Sequence, residues 1–172
     1  MKKSRIAFVI CKHELFNWGG GISYFKNLFE LINNSYSLDL MIFTDDKNFV
    51  KDRITRNNKV IEVSFLKKDS VYFFISKFIN FIFNKNIFLY LLLLKNKVNV
   101  LSHRRLFKNR NIKVIGWIPD LQNKVYPNFF PKATLQEREN YIYNEINNTD
   151  KIFVSSNQIK KEFKKYYKLQ KN

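Results

Sequence analysis

Short apolar runs alternate along the chain with longer segments whose apolar residues recur every three or four positions. The short runs have the length and β-branched content of buried strands, and they lie at residues 5–11, 38–43, 59–65, 98–101, 112–117 and 151–154. Helical spacing is clearest at residues 21–33, and further helices are predicted within residues 71–94, 134–148 and 156–167. This alternation predicts one α/β domain over residues 1–172, built on a doubly wound, Rossmann-like parallel sheet.

Two capping boxes predict helix starts near the end of the chain. Thr134 is followed by Glu137, and Ser155 by Gln158, at the spacing that lets both side chains bond free backbone N–H groups. We therefore expect one helix to begin at Thr134 and a last helix to follow Ser155.

The segment from residue 71 to residue 94 is rich in phenylalanine. Its longest uninterrupted apolar run, residues 87–94, is far shorter than the ~20 residues that a membrane span needs. We predict two helices joined near residues 84–86, with Ser76, Lys77 and Asn80 on one face of the first. The phenylalanines either fill the core or form, beside Lys77 and Lys85, an apolar surface that docks on an anionic membrane.

The charge balance is strongly basic. Lys and Arg number 31 against 14 Asp and Glu, which gives a formal net charge of +17. Two interpretations stay open: the codon bias of an A/T-rich genome, or attraction to polyanions such as phosphate-bearing substrates, anionic membranes or nucleic acid. No helix-turn-helix, zinc module or RNA-binding aromatic motif accompanies the charge, so no specific nucleic-acid partner is predicted.

Several classes of protein are excluded by simple counts. A hydrophobic content of 45% excludes a mainly disordered chain, and a single cysteine, Cys11, excludes an internal disulfide or a multi-cysteine metal site. His13 and His103 are far apart in sequence, so neither a metal nor a cofactor is predicted. The first apolar run is too short for a signal peptide, and we expect a cytoplasmic protein, peripheral at the inner face of the membrane if it docks there.

Three segments could carry chemistry, because ligands of such sheets bind beyond the carboxyl ends of the strands. Gly19, Gly20 and Gly21 lie between the first predicted strand and its helix, where backbone without Cβ atoms can approach a phosphate or sugar closely. The alternative is a tight turn without a ligand. His103, followed by two arginines, either grips a phosphate or forms a solvated turn.

The third segment leaves the strand predicted at residues 112–117. Asp120 and Asn123 would lie at the rim of the crevice, with Trp117 and Tyr126 as stacking walls for a sugar ring. The alternative is a proline-shaped loop in which Asp120 accepts backbone N–H bonds.

Glu137 and Glu145 invite a catalytic interpretation because seven residues separate them, a spacing known from sugar-transferring enzymes. Both fall within one predicted helix, however, at positions ~80° apart around its axis. We therefore expect both to be surface charges.

The order of these motifs resembles a known family. Trp-Ile-Pro-Asp-Leu-Gln-Asn at residues 117–123, Tyr-Pro-Asn-Phe-Phe at 126–130 and Thr-Asp-Lys-Ile-Phe-Val-Ser-Ser at 149–156 follow the glycine-rich turn in sequence. This arrangement is similar to the N-terminal domain of the family 4 glycosyltransferases, which have two Rossmann-like domains, the GT-B fold. The resemblance covers about residues 4–168.

The resemblance implies a function for the chain. It would be the acceptor-side half of a retaining hexosyltransferase, moving a sugar from a nucleotide-sugar donor to a cell-envelope glycan or a lipid-linked acceptor. Gly19, Gly20 and Gly21 would reach the donor diphosphate, and Asp120 matches a catalytic-segment position. Many relatives have a histidine where this chain has Asn123, which cannot take up a proton, so the polar role falls to His103 or Asp120.

The family's donor-binding domain would follow near residue 172 as a C-terminal half or a separate polypeptide, and we expect the chain to be inactive alone. The alternative function is a basic peripheral membrane or nucleic-acid-binding module without catalysis.

Overall fold

The apolar runs form a parallel sheet. The computed structural model describes residues 3–167 and confirms the predicted fold class, a Rossmann-like α/β architecture with helices flanking six parallel strands. The strands are β1 (Ser4–Ile10), β2 (Leu38–Thr44), β3 (Lys59–Glu62), β4 (Val100–Ser102), β5 (Lys113–Ile118) and β6 (Lys151–Val154), in the order β3-β2-β1-β4-β5-β6. Every predicted strand is present, with ends that differ by at most three residues from the sequence pattern.

The segments of helical spacing form the longer helices. The helices are α1 (Lys12–Leu15), α2 (Gly19–Asn33), α3 (Lys47–Arg53), α4 (Val71–Phe83), α5 (Ile87–Lys95), α6 (Gln122–Val125), α7 (Lys132–Asn148) and α8 (Asn157–Tyr166). The short helices α1, α3 and α6 were not predicted, because four to seven residues are too few to show an apolar period.

The described chain divides into two compact units. The first comprises residues 3–102 and 109–113, and the second comprises residues 103–108 and 114–167. The single domain expected over residues 1–172 stays a prediction.

The core of the first unit is aromatic and aliphatic. β1 pairs with both β2 and β4, and the rings of Phe25 and Phe29 on α2 pack edge-on against Phe8 of β1. Five successive residues at the carboxyl half of β2 are buried as well. These near-continuous apolar strands are typical of a parallel sheet covered on both faces.

The core of the second unit is smaller and lies between α7, α8 and the carboxyl end of β5. Its buried members are Ile118, Leu121, Ile142, Phe163 and Tyr167. The ring of Phe163 stacks on that of Tyr167, whose hydroxyl donates a hydrogen bond of 2.8 Å to Glu139 Oε2 on α7. This core ties the last helix to α7.

The predicted capping boxes are not formed as expected. α7 begins two residues before Thr134, after Pro131, whose fixed φ suits a helix start. At α8 the capping residue is Ser156, whose Oγ accepts the Ile159 N–H at 3.2 Å, while Ser155 Oγ donates to the Pro119 carbonyl at 2.6 Å. Ser156 therefore caps α8, while the Ser155 hydroxyl bonds the loop after β5.

The phenylalanine-rich segment forms two helices, as predicted. Asn84 ends α4 in the left-handed conformation, φ 50°, which asparagine tolerates better than most residues. Among the described residues no single helix is long and apolar enough to cross a bilayer; α4 and α5 reach that length and hydropathy only together, with their axes bent by 110°.

α4 turns its phenylalanines outward. Ser76 is 4% exposed and donates to the Phe73 carbonyl at 2.8 Å, whereas Phe81 is 86% exposed and Phe74 and Phe78 are each more than 60% exposed. The interpretation that these phenylalanines fill the core is therefore wrong for all three. The small Ser76 side chain lets α4 approach the rest of its unit closely, and the bulky residues are left on the opposite face.

Candidate functional site

The three glycines do not form a loop before α2; they form its first turn. The predicted helix start at residue 21 is therefore two residues late, and Trp18 is the capping residue. The first N–H groups of a helix have no acceptor within it, and the first turn of α2 contains no acidic residue. This start is therefore electrostatically open to an anion.

The glycines have different surroundings. A Cβ at Gly21 would overlap the indole ring of Trp18, so this glycine is required by packing. Gly19 has no atom within 4 Å of the position that a Cβ would take, and it is exposed with Gly20. Of the three, Gly19 and Gly20 are the ones that a ligand can reach.

Asp120 follows β5 and is held by two groups of the second unit. Its Oδ1 accepts the Gln122 N–H at 3.1 Å and forms an ion pair with Arg138 Nη2 of α7. The Arg138 guanidinium in turn lies 5.4 Å from the centre of the Phe130 ring. The Asp120 carboxylate is thus fixed in position and ionically paired, with about a third of the side chain exposed.

A groove of about 250 Å³ opens beside this ion pair. It is lined by apolar residues together with charged and hydroxyl-bearing side chains: Ile118, Pro119, Asp120, Glu137, Arg138, Tyr141 and Ile142. A few polar groups among apolar ones are typical of small-ligand sites. Carboxylate, guanidinium and hydroxyl groups are suited to the hydroxyl groups of a sugar.

Asn123 is buried in α6, with 4% of its surface exposed. Its Oδ1 has no hydrogen-bond partner among the described residues. It borders a second groove, of about 430 Å³, whose other polar members are Lys124, Lys132, Gln136 and Glu139. The oxygen itself is shielded from solvent, and an amide oxygen cannot serve as a base at neutral pH.

His103 lies in the second unit in a left-handed backbone conformation, φ 62°. Its ring packs against Trp117, with centroids 4.9 Å apart, and burial lowers its pKa to about 3. The imidazole is therefore neutral at physiological pH and adds no positive charge for a phosphate. Trp117 is itself buried, so it cannot serve as the predicted stacking wall, whereas Tyr126 is exposed.

Glu145 is not the surface charge that the sequence predicts; only Glu137 is exposed. Glu145 is 2% exposed, and its Oε2 accepts the Trp117 N–H at 3.2 Å. Arg105 Nε lies 3.6 Å from its Oε1. Burial raises the pKa of Glu145, and the Arg105 charge and the Trp117 N–H oppose that rise.

The carboxylate of Glu145 occupies space that only a glycine leaves open. A Cβ at Gly116 would overlap Glu145 Oε2 and would lie 2.9 Å from Thr149 Cγ2. Tyr141, one helical turn before Glu145, donates to the Trp117 carbonyl at 2.6 Å, and burial raises the pKa of its hydroxyl. Both polar groups of Trp117's backbone are thus bonded by α7.

Sequence reasoning did not single out Tyr141 or Arg138. It considered Arg105 only as part of a phosphate grip with His103, and it assigned Glu145 to the surface. These residues lie on α7 and after β4, and nothing in their spacing marks which face of α7 packs on β5. Gly116 is the one available signal, because a glycine inside a predicted strand suggests a close approach by another group.

No family model matches the chain, and no curated protein or solved structure matches it significantly. The similarity to family 4 glycosyltransferases therefore stays a prediction argued from the residues themselves.

Proposed function

We propose that this chain is the acceptor-side domain of a retaining GT-B glycosyltransferase that acts on a cell-envelope glycan or lipid-linked acceptor. The observation that carries the proposal is the first turn of α2, where exposed Gly19 and Gly20 follow a parallel β1 and no acidic side chain is present. Such a turn is suited to a diphosphate, the group shared by most sugar-nucleotide donors.

The groove at Asp120 supports the same proposal from the second unit. Asp120, Arg138 and Tyr141 line it together with apolar residues, a combination suited to a sugar or another hydroxyl-rich acceptor. On this proposal the isolated chain binds a nucleoside diphosphate with a Kd no lower than ~1 mM, which corresponds to a binding free energy of about 4 kcal/mol. It does not turn over nucleotide sugars.

The test is a titration of the chain with uridine diphosphate, followed by NMR of the backbone amides. The four glycines of the chain make their resonances simple to assign. We expect shifts at Gly19 and Gly20, and about fivefold weaker binding in Gly19→Asp, since a carboxylate there is worth ~1 kcal/mol against an anion.

Gly19→Asn is the matched control because it adds the same volume without charge, and it should bind like Gly19→Ala. Equal binding by the Asp and Asn variants, or shifts confined to residues outside the first turn of α2, would contradict the proposed diphosphate contact.

A second function, docking on an anionic membrane, is favoured by the exposed face of α4. Phe74, Phe78 and Phe81 are all exposed on this helix, with Lys77 and Lys85 also at the surface. Single exposed apolar residues are common, but a contiguous apolar face on one helix marks an interaction surface. The net charge of +17 favours an anionic bilayer as the partner, at ~1 kcal/mol for each basic residue near the surface.

Vesicle co-sedimentation tests this function. We expect binding to vesicles with anionic lipid, weaker binding to neutral vesicles and a loss of binding in Phe78→Ser/Phe81→Ser. Tyr36→Ser is the matched control, because Tyr36 is a 96% exposed aromatic residue of the same unit outside α4. Binding that is insensitive to lipid charge, or equally reduced in the control, would contradict docking through α4.

A further inference from the structure

Three different metal-ligating side chains meet at the carboxyl edge of the first unit. β1 and β2 are parallel neighbours whose last residues, Ile10 and Thr44, are in register. The residues that follow each strand therefore emerge side by side. One ligand atom each of Cys11, His13 and Asp45 lies within 4.8 Å of the others.

We propose that Cys11, His13 and Asp45 form a binding site for one zinc-like divalent cation. The proposal rests on these three residues and is independent of the glycosyltransferase proposal. A thiol, an imidazole and a carboxylate form a mixed S, N, O set that Zn²⁺ prefers, whereas Mg²⁺ and Ca²⁺ take oxygen ligands.

The distance between two of the ligand atoms is close to what coordination needs. His13 Nδ1 lies 3.2 Å from Asp45 Oδ2. Two ligand atoms each ~2.0–2.1 Å from a tetrahedral zinc ion are ~3.3 Å apart, so a cation can replace the hydrogen bond between these atoms with little movement. The ligand atom of Cys11 lies within 4.8 Å of the other two. Sulfur and nitrogen or oxygen ligands of a tetrahedral zinc ion are ~3.6 Å apart, so binding requires the sulfur to move closer by no more than ~1.2 Å.

The surroundings orient the carboxylate. Asp45 Oδ1 accepts the backbone N–H of Lys12 at 2.7 Å, which leaves Oδ2 directed toward His13. The ammonium group of Lys12 could compete with a metal ion for Asp45. It lies 2.8 Å from Asp46 Oδ2, however, so its main ion pair is with Asp46. Such supporting bonds around a ligand fix its orientation and raise metal affinity.

The site has a closed side and an open side. Cys11 is buried, whereas the side chains of Asp45 and His13 are 12% and 33% exposed. A cation can therefore enter from solvent past His13 and lose part of its hydration against the buried sulfur. Three protein ligands leave the fourth tetrahedral position for water, the arrangement of zinc sites that remain open to exchange.

The experiment is a Co²⁺ titration of the untagged full chain under reducing conditions. We expect one equivalent to bind, with visible bands of a tetrahedral ion and a near-ultraviolet thiolate-to-cobalt band, and Zn²⁺ to displace the cobalt. Cys11→Ser should abolish the thiolate band. His13→Gln and Asp45→Asn should weaken binding by at least ~100-fold, since loss of a supporting residue alone costs 10–100-fold.

Two controls match the ligand variants. His103→Gln changes the other histidine of the chain, and Asp52→Asn changes an exposed carboxylate of the same unit that has no part in the site, so both should retain one-to-one binding within about threefold of the unmodified chain. His13 is exposed, so His13→Gln remains a valid test even if Cys11→Ser fails to fold. Absence of the thiolate band, or equal affinity of the His13→Gln and His103→Gln variants, would overturn the proposal.

Discussion

α4 in the first unit and α7 in the second place their side chains in opposite ways. α4 is the more apolar helix, yet Phe74, Phe78 and Phe81 face solvent and Ser76 faces the protein. α7 is the more polar helix, yet it buries the carboxylate of Glu145 against β5. α7 buries the apolar Ile142 as well, but Ser76 of α4 and Glu145 of α7 are polar and buried, so hydropathy alone does not decide which residues contact the rest of the unit.

The comparison teaches where function is to be sought. Each phenylalanine left exposed loses ~1.5–3 kcal/mol of favourable burial free energy. Burying a carboxylate costs desolvation free energy unless the group is hydrogen-bonded or ion-paired. The bonds of Glu145 to Trp117 and Arg105 offset part of the cost of burying its carboxylate. The α4 phenylalanines gain the free energy of burial only when another surface covers them. The exposed face of α4 is therefore where the proposed membrane contact is to be tested, whereas the bonds of Glu145 lie within its own unit.

The largest expected effect is that of Gly116→Ala, which tests the close approach of α7 to β5. The added methyl group would displace the Glu145 carboxylate and press on Thr149, and we expect a loss of about 2–3 kcal/mol in the free energy of unfolding. Urea denaturation measures it. Gly19→Ala, which meets no atom within 4 Å, should cost nothing, and adding Glu145→Ala to Gly116→Ala should recover part of the loss.

The next effect concerns His103, whose burial lowers its pKa to about 3. Below its ordinary pKa of ~6.5, this imidazole binds a proton in the unfolded state but not in the folded state. The free energy of unfolding is therefore highest above pH 6.5 and falls as the pH decreases toward 3. The free energy of unfolding should therefore fall by about 2 kcal/mol between pH 7 and pH 5, relative to His103→Asn. His13→Asn is the control, and the same relative trend in both variants would contradict burial of His103.

A smaller, opposite trend is expected from Glu145, whose pKa is raised by burial. A raised pKa means that the folded state favours the protonated carboxyl group more than the unfolded state does. The free energy of unfolding of the unmodified chain should therefore decline as the pH rises above ~4.5. Glu145→Gln should remove this decline, so the free energies of unfolding of the two chains should differ more at neutral pH than at pH ~4. Denaturation at several pH values measures it, with the exposed Glu137→Gln as control; no difference between the two variants would show Glu145 to be solvated.

The smallest expected effect is that of Phe81→Ser on α4. Because Phe81 is 86% exposed, the free energy of unfolding should change by less than about 0.5 kcal/mol. Phe29→Ala, at a buried residue of α2, should by contrast cost about 3–5 kcal/mol. A large loss in Phe81→Ser would mean that α4 packs its phenylalanines inward, and the contrast with α7 would fail.

Much of the fold follows from local pattern. The six strands and the longer helices were predictable because apolar period and β-branched content act over a few neighbouring residues. The break after α4 was predictable too, since Asn84 can adopt the left-handed conformation that ends a helix. The glycine-rich segment was placed correctly after β1, although it forms the first turn of α2 and not a loop.

The candidate sites were predictable only in part. Asp120 follows the end of β5, where such sheets bind ligands, whereas the short helix α1 separates Gly19 from the end of β1. Glu145 was assigned to the surface because its spacing on α7 says nothing about which face packs on β5. His103 was expected either to grip a phosphate or to lie in a solvated turn, but its ring packs against Trp117 and partial burial keeps the imidazole neutral.

The sequence by itself determined which segments become strands and helices, because that choice depends on residues close together in the chain. The tertiary structure decided which face each helix buries and which strand ends lie side by side. Cys11 and Asp45 meet only because β1 and β2 pair in one register, and a shift of that register would separate them. Burial and juxtaposition are properties of neighbours in space, and the order of residues along the chain does not specify those neighbours directly.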